Sequence, residues 1–383
     1  MKAETLSFSE QRDFDVYIQA LLTSGTNDEI FQKLVDLEVP PPFRIRIKVL
    51  YANTSPVEVA EMLVNRQLLT RTASGSHTYA YEIESNEQKS KRLQLPFLFK
   101  SFDDIGPKLS AAISVCKTDH WQKLRRFFKR QYPSLVPVLL SQSELIKAAD
   151  ALKQFSNHEV RVKAFSAQET IRGTTKKKRK SVREWTDEEL DEALSSIQER
   201  HQYLTSIDVD FFPKVGEFTH VRPKVSCKLR KDAEIEVTGS LKIAFDVVVS
   251  QIARIGEKKL QFFGRRGLRE SQYSPRPLAI DFLRHLFVET KNVRSLVHIL
   301  RKYPHSMHSV AHGNPYANLR ITDLFDDSSF DVWAIPPERM ILIPGLKASE
   351  AAFERLIQYI FETFREGKLI TYDRERRAFE AIA

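Results

Sequence analysis

The stretch Ser166–Arg183 constrains the fold more than any other part of the chain. It is polar, contains the run Lys176–Lys180 and one glycine, and shows no apolar period, as is typical of a connection between folded parts. A chain of 383 residues is also too long for one ordinary core. We therefore predict two domains, residues 1–165 and 184–383, joined by a basic linker at 166–183.

Both helical and strand-like apolar periods occur on either side of this stretch. They predict an α+β, or mixed α/β, fold whose mixed or antiparallel sheets are flanked by amphipathic helices. An alternating strand spans residues 43–51, and Ser55-Pro56 begins a helix that runs to about Leu69. Two strand-like stretches follow, which is typical either of a winged helix-turn-helix or of a split β-α-β-β unit. The sequence leaves both open.

Further elements follow from caps and periodicity. Helices are predicted at about Phe102–Cys116, Asp119–Tyr132, Ser141–Phe155, Ser240–Ile255 and Pro277–Glu289 and, after the cap at Ser349, in a long amphipathic stretch. A hairpin is predicted from Tyr316–Asp323 and Ser329–Ala334 around the turn Asp326-Asp327-Ser328.

The chain has no apolar run of the ~18 residues that a membrane-spanning helix needs. Its start lacks the apolar stretch of a signal peptide, and Cys116 and Cys227 are its two cysteines. Two cysteines disfavour a disulfide framework and exclude a four-cysteine zinc site. We expect a soluble protein without a transmembrane segment, cytoplasmic, or nuclear if the source is eukaryotic.

The net charge of +9 is concentrated in three segments. Residues 117–131 carry a net +5, residues 159–184 a net +6 and residues 254–269 a net +5, so the rest of the chain sums to −7. A surplus that served only solubility would be scattered. Clustered cations instead suit an anionic partner.

The segment Asp119–Tyr132 has the sharpest pattern. At 100° per residue, its apolar side chains, four of them aromatic, fall on one side of a helix and its five cations on the other. Such a helix is suited to lie along phosphate groups. A solvated face of a core helix, an acidic membrane surface and a protein partner are the alternatives. The residues that we expect to contact phosphates here are Lys123, Arg126, Lys129 and Arg130.

The other two basic segments have simpler alternatives. The run that contains Lys177, Lys178, Arg179 and Lys180 resembles a nuclear localisation signal or a nucleic-acid-binding tail, but also a flexible linker. Two glycines bracket Arg265 and Arg266, so the backbone N–H groups could form an anion nest beside two guanidinium groups. An ordinary loop is the alternative interpretation there.

The region His305–Asp331 suggests a different chemistry. His305, His308 and His312 precede four aspartates, and imidazoles that converge with carboxylates could bind a divalent metal for hydrolysis. Good turn chemistry at Asp326-Asp327-Ser328 explains the same residues without a metal. No motif for a phosphate-binding loop, a dinucleotide fold, a zinc protease or a serine hydrolase is present.

The function that these patterns favour is binding of a polyanion, DNA or RNA, through the clustered basic segments. A metal-dependent nuclease built on His305–Asp331 is one alternative. A non-catalytic subunit that meets an acidic protein partner is the other. No catalytic residue, metal ligand or cofactor is assigned, and the sequence leaves open whether the protein is an enzyme.

Overall fold

The computed structural model describes most of the chain and divides it into two compact units. The described residues are 11–23, 25–37, 39, 43–72, 76–84, 92–102, 104–131, 134–142, 144–146, 148, 158–171, 174–182, 202–213, 225–264, 277–282, 286–313, 316–345, 348–373 and 378–381. Unit 1 comprises Met1–Ser166, Lys180–Ser196 and Leu204–Glu257, and unit 2 comprises Ala167–Arg179, Ile197–Tyr203 and Lys258–Ala383.

Helices occur together with two separate antiparallel sheets, which confirms the predicted α+β class. The helices are α1 (Gln11–Thr23), α2 (Asn27–Val35), α3 (Pro56–Asn65), α4 (Thr118–Arg130), α5 (Ser250–Gly264), α6 (Thr290–Leu300) and α7 (Glu350–Thr363). A helical turn (Leu241–Ile243) and a π-helical stretch (Ala244–Val249) lead into α5. None of the described helices is long and apolar enough to cross a membrane.

The first sheet has eleven strands among the described residues. They are β1 (Arg44–Tyr51), β2 (Thr70–Arg71), β3 (Thr78–Glu84), β4 (Arg92–Phe102), β5 (Gly106–Cys116), β6 (Val136–Pro137), β7 (His158–Ile171), β8 (Thr174–Val182), β9 (Gln202–Pro213), β10 (Val225–Arg230) and β11 (Glu234–Gly239). Their order is β2-β3-β4-β5-β1-β11-β10-β9-β7-β8, and β6 pairs with β1.

The connection through α3 decides between the two topologies that the sequence left open. β1 lies in the middle of the sheet, between β5 and β11, whereas β2 lies at one edge. α3 therefore carries the chain from the centre to the edge, and β3, β4 and β5 return strand by strand to β1. This arrangement differs from a winged helix-turn-helix, in which the hairpin is a small appendage of the helices.

The helix predicted at about Phe102–Cys116 is wrong, because Gly106–Cys116 is strand β5. β5 pairs with β4 and β1, and eight consecutive residues from Leu109 are buried. Helices cover the sheet on both faces. α3 and α4 share one core cluster with Leu50 and Ala112, and Phe245 of the π-helical stretch stacks on Phe102. A strand that is buried on both faces loses the alternation by which a strand is identified.

The segment 166–183, expected as a linker, contains strand residues. β7 runs to Ile171, and β8 (Thr174–Val182) carries the lysine-rich run at the edge of the first sheet. The predicted domain limits 1–165 and 184–383 remain a prediction. The part of the predicted helix Ser141–Phe155 that follows residue 148 lies outside the described residues.

The second sheet lies within unit 2. Its strands are β12 (Leu278–Asp281), β13 (Ser306–His312), β14 (Ala317–Asp323), β15 (Ser328–Ile335), β16 (Arg339–Pro344), β17 (Lys368–Asp373) and β18 (Ala378–Ala381), in the order β13-β14-β15-β16-β12-β17-β18. The predicted hairpin is thus confirmed as β14–β15. The helix predicted at Pro277–Glu289 is wrong, because β12 and a 3-10 turn at Leu286–Val288 occupy that region.

Caps that the sequence indicated are made in the structure. Ser55 accepts a hydrogen bond from the Glu58 amide and begins α3, and Ser349 does the same for Ala352 in α7. The capping box at Ser141 and Glu144 is formed in both directions, at 2.8 Å and 3.2 Å. Sequence rules for helix starts therefore hold better here than rules for buried strands.

Candidate functional site

Helix α4 follows directly on strand β5 and is placed by it. The strand ends at Cys116, and Lys117 precedes the first helical residue without a side-chain capping bond. Asp119 lies in the first turn, and Lys129 and Arg130 lie in the last. Both placements complement the helix dipole and therefore stabilise the helix. The same pattern exposes cations at its C-terminal end.

The apolar side of α4 is part of the core of unit 1. Trp121, Leu124, Phe127 and Phe128 are each no more than 3% exposed. The ring of Phe127 stacks on that of Tyr81 with centroids 4.4 Å apart, and Phe128 meets Phe97 edge-on at 5.4 Å. These contacts fix the rotation of the helix, so the basic side has one defined orientation.

Three of the predicted phosphate contacts share the exposed side of α4. Arg126, Lys129 and Arg130 are exposed, and none has an acidic partner among the described residues. Residues three and four positions apart are neighbours on a helix surface, so their charges form one patch. Lys123, the fourth predicted contact on this helix, is half-buried and makes interactions within the fold. We call Arg126, Lys129 and Arg130 the α4 patch.

Arg125 belongs to the same helix but is bound to acidic groups. Its Nη2 lies 3.3 Å from Asp232 Oδ2, and its Nε lies 3.1 Å from Glu234 Oε2. Asp232 also accepts a hydrogen bond of 2.8 Å from Lys48 Nζ, and Glu234 pairs with Arg230. Arg125 therefore ties α4 to the turn between β10 and β11 instead of adding charge to the α4 patch.

Asp232 is ionised strongly by this environment. Burial alone would raise the pKa of the carboxyl group, but the cations Lys48 and Arg125 outweigh it, and the pKa lies well below the ordinary value. The negative charge that anchors Arg125 is thus present throughout the neutral range.

The cations of the neighbouring strands are likewise compensated. Arg46 on β1 pairs with Glu236 on β11 at 2.6 Å, and Lys228 on β10 pairs with Asp208 on β9 at 2.9 Å. These four residues lie directly opposite one another across four strands, with alternating charge. Cross-strand pairing of opposite charge stabilises a sheet and leaves little net field. Arg126, Lys129 and Arg130 of the α4 patch have no such acidic partner in the part of the chain that the structure describes.

No described interaction places the predicted phosphate-binding residues of the other two basic segments next to α4. Lys177, Lys178, Arg179 and Lys180 lie in the edge strand β8. Arg265 and Arg266 lie outside the described residues, directly after the last residue of α5.

The histidines and aspartates of the region His305–Asp331 interact with different partners. Asp323 accepts a hydrogen bond of 2.7 Å from Arg355 Nη2, and Asp331 pairs with Arg320 at 3.2 Å. His312 stacks on Tyr316 with ring centroids 4.2 Å apart. Among the described residues, no three histidine, cysteine or carboxylate side chains are grouped so that they could hold a metal ion.

The sequence did not indicate the acidic anchor of α4. Asp232 and Arg125 are 107 positions apart, so no local spacing relates them. Only the pairing of β1 with β11, and the packing of α4 beside them, bring the charges together.

No protein-family model matches the chain, and no curated protein sequence is significantly similar to it.

Proposed function

We propose that the protein binds nucleic acid, and that the α4 patch contacts the phosphate backbone. The observation that carries this proposal is that Arg126, Lys129 and Arg130 are exposed and have no acidic partner among the described residues, while Arg125, Arg46 and Lys228 are paired with acids. Uncompensated cations on a rigid helix attract phosphate groups without the cost of ordering a loop.

Contacts with phosphate groups contribute more to affinity than to sequence specificity. Guanidinium and ammonium groups that meet phosphates position a protein on the backbone, and they carry no direct information about the bases. The α4 patch therefore supports binding that is similar for all sequences. A protein with an acidic surface would be attracted by the same cations, and salt dependence separates the two partners.

The experiment is a salt titration of binding to labelled duplex DNA, followed by fluorescence anisotropy. Each phosphate contact contributes about −0.9 to the slope of log K against log salt concentration on duplex DNA. The double variant Arg126→Gln/Arg130→Gln keeps helix propensity and leaves the apolar side of α4 intact. We expect the variant to reduce the slope by roughly two units and to weaken binding to all sequences about equally.

The matched control is Arg301→Gln/Lys302→Gln. These two cations are also exposed and also adjacent to the end of a helix, α6, so the control removes the same net charge elsewhere. An effect limited to the α4 variant supports the proposal. Equal slopes in all three proteins, or no binding to nucleic acid at about 150 mM salt, would remove the α4 patch from a nucleic-acid surface.

The nuclease alternative has no comparable support in the described residues. Asp323, which would be its central carboxylate, is 2% exposed and bound to Arg355 and Tyr303. Incubation of the same duplex with Mg²⁺ or Mn²⁺ tests this alternative directly, because cleavage would show activity that the α4 patch does not explain.

A further inference from the structure

The second sheet has two unlike faces. On one face, the alternate residues Phe330, Val332 and Ala334 of β15 are buried, and Phe330 packs on Phe353 of α7 with ring centroids 4.8 Å apart. The residues between them point to the opposite face, which we call the outer face. There the exposed fraction of Trp333 is 40%. Large aromatic side chains on an exposed sheet surface are a common feature of binding sites.

Trp333 belongs to a row of side chains across the outer face. His312 on β13 lies opposite Asn318 on β14, Asn318 lies opposite Trp333 on β15, and Trp333 lies opposite Ile341 on β16. Directly opposite residues of antiparallel strands project from the same face. The row therefore places an imidazole, an amide and an indole side by side.

The end of this row carries a second flat group. The rings of His312 and Tyr316 are stacked with an angle of 8° between their planes and centroids 4.2 Å apart, and Tyr316 is 44% exposed. The position of this ring pair is held further by a contact of 3.1 Å between His312 Nδ1 and the Tyr316 carbonyl oxygen. A preformed ring pair loses little freedom when another flat group stacks on it.

Polar and cationic groups lie next to the aromatic ones. Asn318, between His312 and Trp333, has both an amide donor and an acceptor. Arg320, two residues further along β14, projects from the same face and pairs with Asp331 in an exposed contact of 3.2 Å. Exposed ion pairs contribute little to stability, so a phosphate group can replace Asp331 as the partner of Arg320.

We propose that the outer face of the second sheet stacks unpaired nucleobases on Trp333 and on the His312–Tyr316 ring pair, which makes single-stranded nucleic acid the ligand of this surface. This inference rests on the proposed function and narrows its substrate class. Bases in a duplex are stacked on one another and present only their edges, whereas unpaired bases expose the flat faces that an indole or a phenol ring can cover.

The spacing of the two aromatic groups fits separate bases. Trp333 and His312 are two strands apart, a distance of roughly 10 Å at the usual strand spacing. One base held between two rings requires a separation of about 7 Å, twice the stacking distance of about 3.4 Å. The outer face therefore takes different bases on its two aromatic groups, with Asn318 between them.

The experiment compares two labelled 12-nucleotide strands of equal charge, an oligothymidine and an abasic phosphodeoxyribose strand. Bases can stack only in the oligothymidine, so we expect wild-type protein to bind it more tightly by roughly 5- to 150-fold for each stacked base. Trp333→Leu, which keeps apolar area but removes the aromatic ring, should lower this ratio by the contribution of one stacked base. Trp333→Phe should retain much of it. Arg126→Gln/Arg130→Gln should weaken both strands and leave the ratio unchanged.

A second measurement follows the indole directly. Stacking on a base should quench part of the intrinsic tryptophan fluorescence of the wild type, and this part should be absent in Trp333→Phe although that variant still binds. Equal affinity of the wild type for both strands, or an unchanged ratio in a folded Trp333→Leu variant, would overturn the outer face as a stacking surface. Binding to duplex DNA with the expected salt slope would in that case leave the proposed function standing.

Discussion

At the scale of single residues, the charged groups of unit 1 have two different roles. Asp232 is 17% exposed at its side chain and is surrounded by Lys48, Arg125 and Arg230. Arg126, one position after Arg125, has no acidic partner among the described residues. A cation that is already bound to a buried carboxylate adds little to an external field, so the role of each arginine depends on its partner rather than on its type.

The lowered pKa of Asp232 has a consequence for stability. A carboxyl group whose pKa is lower in the folded state stabilises that state above its unfolded pKa, about 3.8, and loses the effect as the pH falls below this value. Asp232→Asn should therefore lower the free energy of unfolding by about 2–4 kcal/mol at pH 7, because it leaves Lys48 poorly compensated. The deficit should shrink below about pH 4.

Urea denaturation at pH 7 and at pH 3 measures this difference. Asp331→Asn is the matched control, because its pair with Arg320 is exposed on both sides and contributes at most about 1 kcal/mol. If both variants lose the same small amount at both pH values, Asp232 does not anchor α4.

At the scale of elements, the two sides of α4 have different roles. The apolar side stabilises the fold, and the opposite side carries the α4 patch that is proposed to bind phosphate groups. Phe128 is 2% exposed and contacts the rings of Phe97 and Phe99. Phe128→Ala should cost about 3–5 kcal/mol, since it leaves a cavity in a core that is filled by aromatic rings. Arg126→Gln/Arg130→Gln should change stability by no more than about 0.5 kcal/mol per site. Chemical denaturation of both variants tests the distinction, and a large loss in the arginine variant would mean that the α4 patch is structural.

Elements whose sequence shows a helical or alternating period were predictable, and β5, which shows neither, was not. The pattern of α4 is visible in the sequence because Trp121 and Phe128 repeat at helical spacing. In β5, Ala111, Ala112 and Ile113 follow one another without alternation, since neighbouring strands and helices on both faces bury them all. The same distinction applies to the candidate sites. The α4 patch could be predicted from the local spacing of its residues. The Arg125–Asp232 contact and the row that contains Trp333 could not, because they depend on the order of the strands in the sheets.

At the scale of the molecule, each unit has a core with a buried ionic anchor of its own. In unit 2, Arg355 is fully buried, donates to Asp323 and Asp326, and keeps a raised pKa because the attraction of Asp323 outweighs the effect of burial. Removal of one partner from a buried pair is far more costly than removal of both.

Arg355→Leu should therefore lower the stability of unit 2 by about 3–5 kcal/mol, and the double variant with Asp323→Asn should recover part of the loss. Hydrogen exchange measured by mass spectrometry locates the effect. We expect faster exchange in β14, β15 and α7, with smaller changes in β1 and β5 of unit 1. Uniform acceleration along the whole chain would contradict a separate core in each unit.

The lysine-rich strand β8 has a consequence for behaviour in concentrated solution. It is the last strand of the first sheet, it pairs only with β7 among the described residues, and five of its nine residues are lysine or arginine. An edge strand exposes backbone groups to which a strand from another molecule can add, and lysines at an edge oppose this by electrostatic repulsion. Charge at β8 therefore acts as a barrier to intermolecular sheet growth. A polyanion that neutralised these residues would lower the barrier, so solubility would depend on the ratio of nucleic acid to protein.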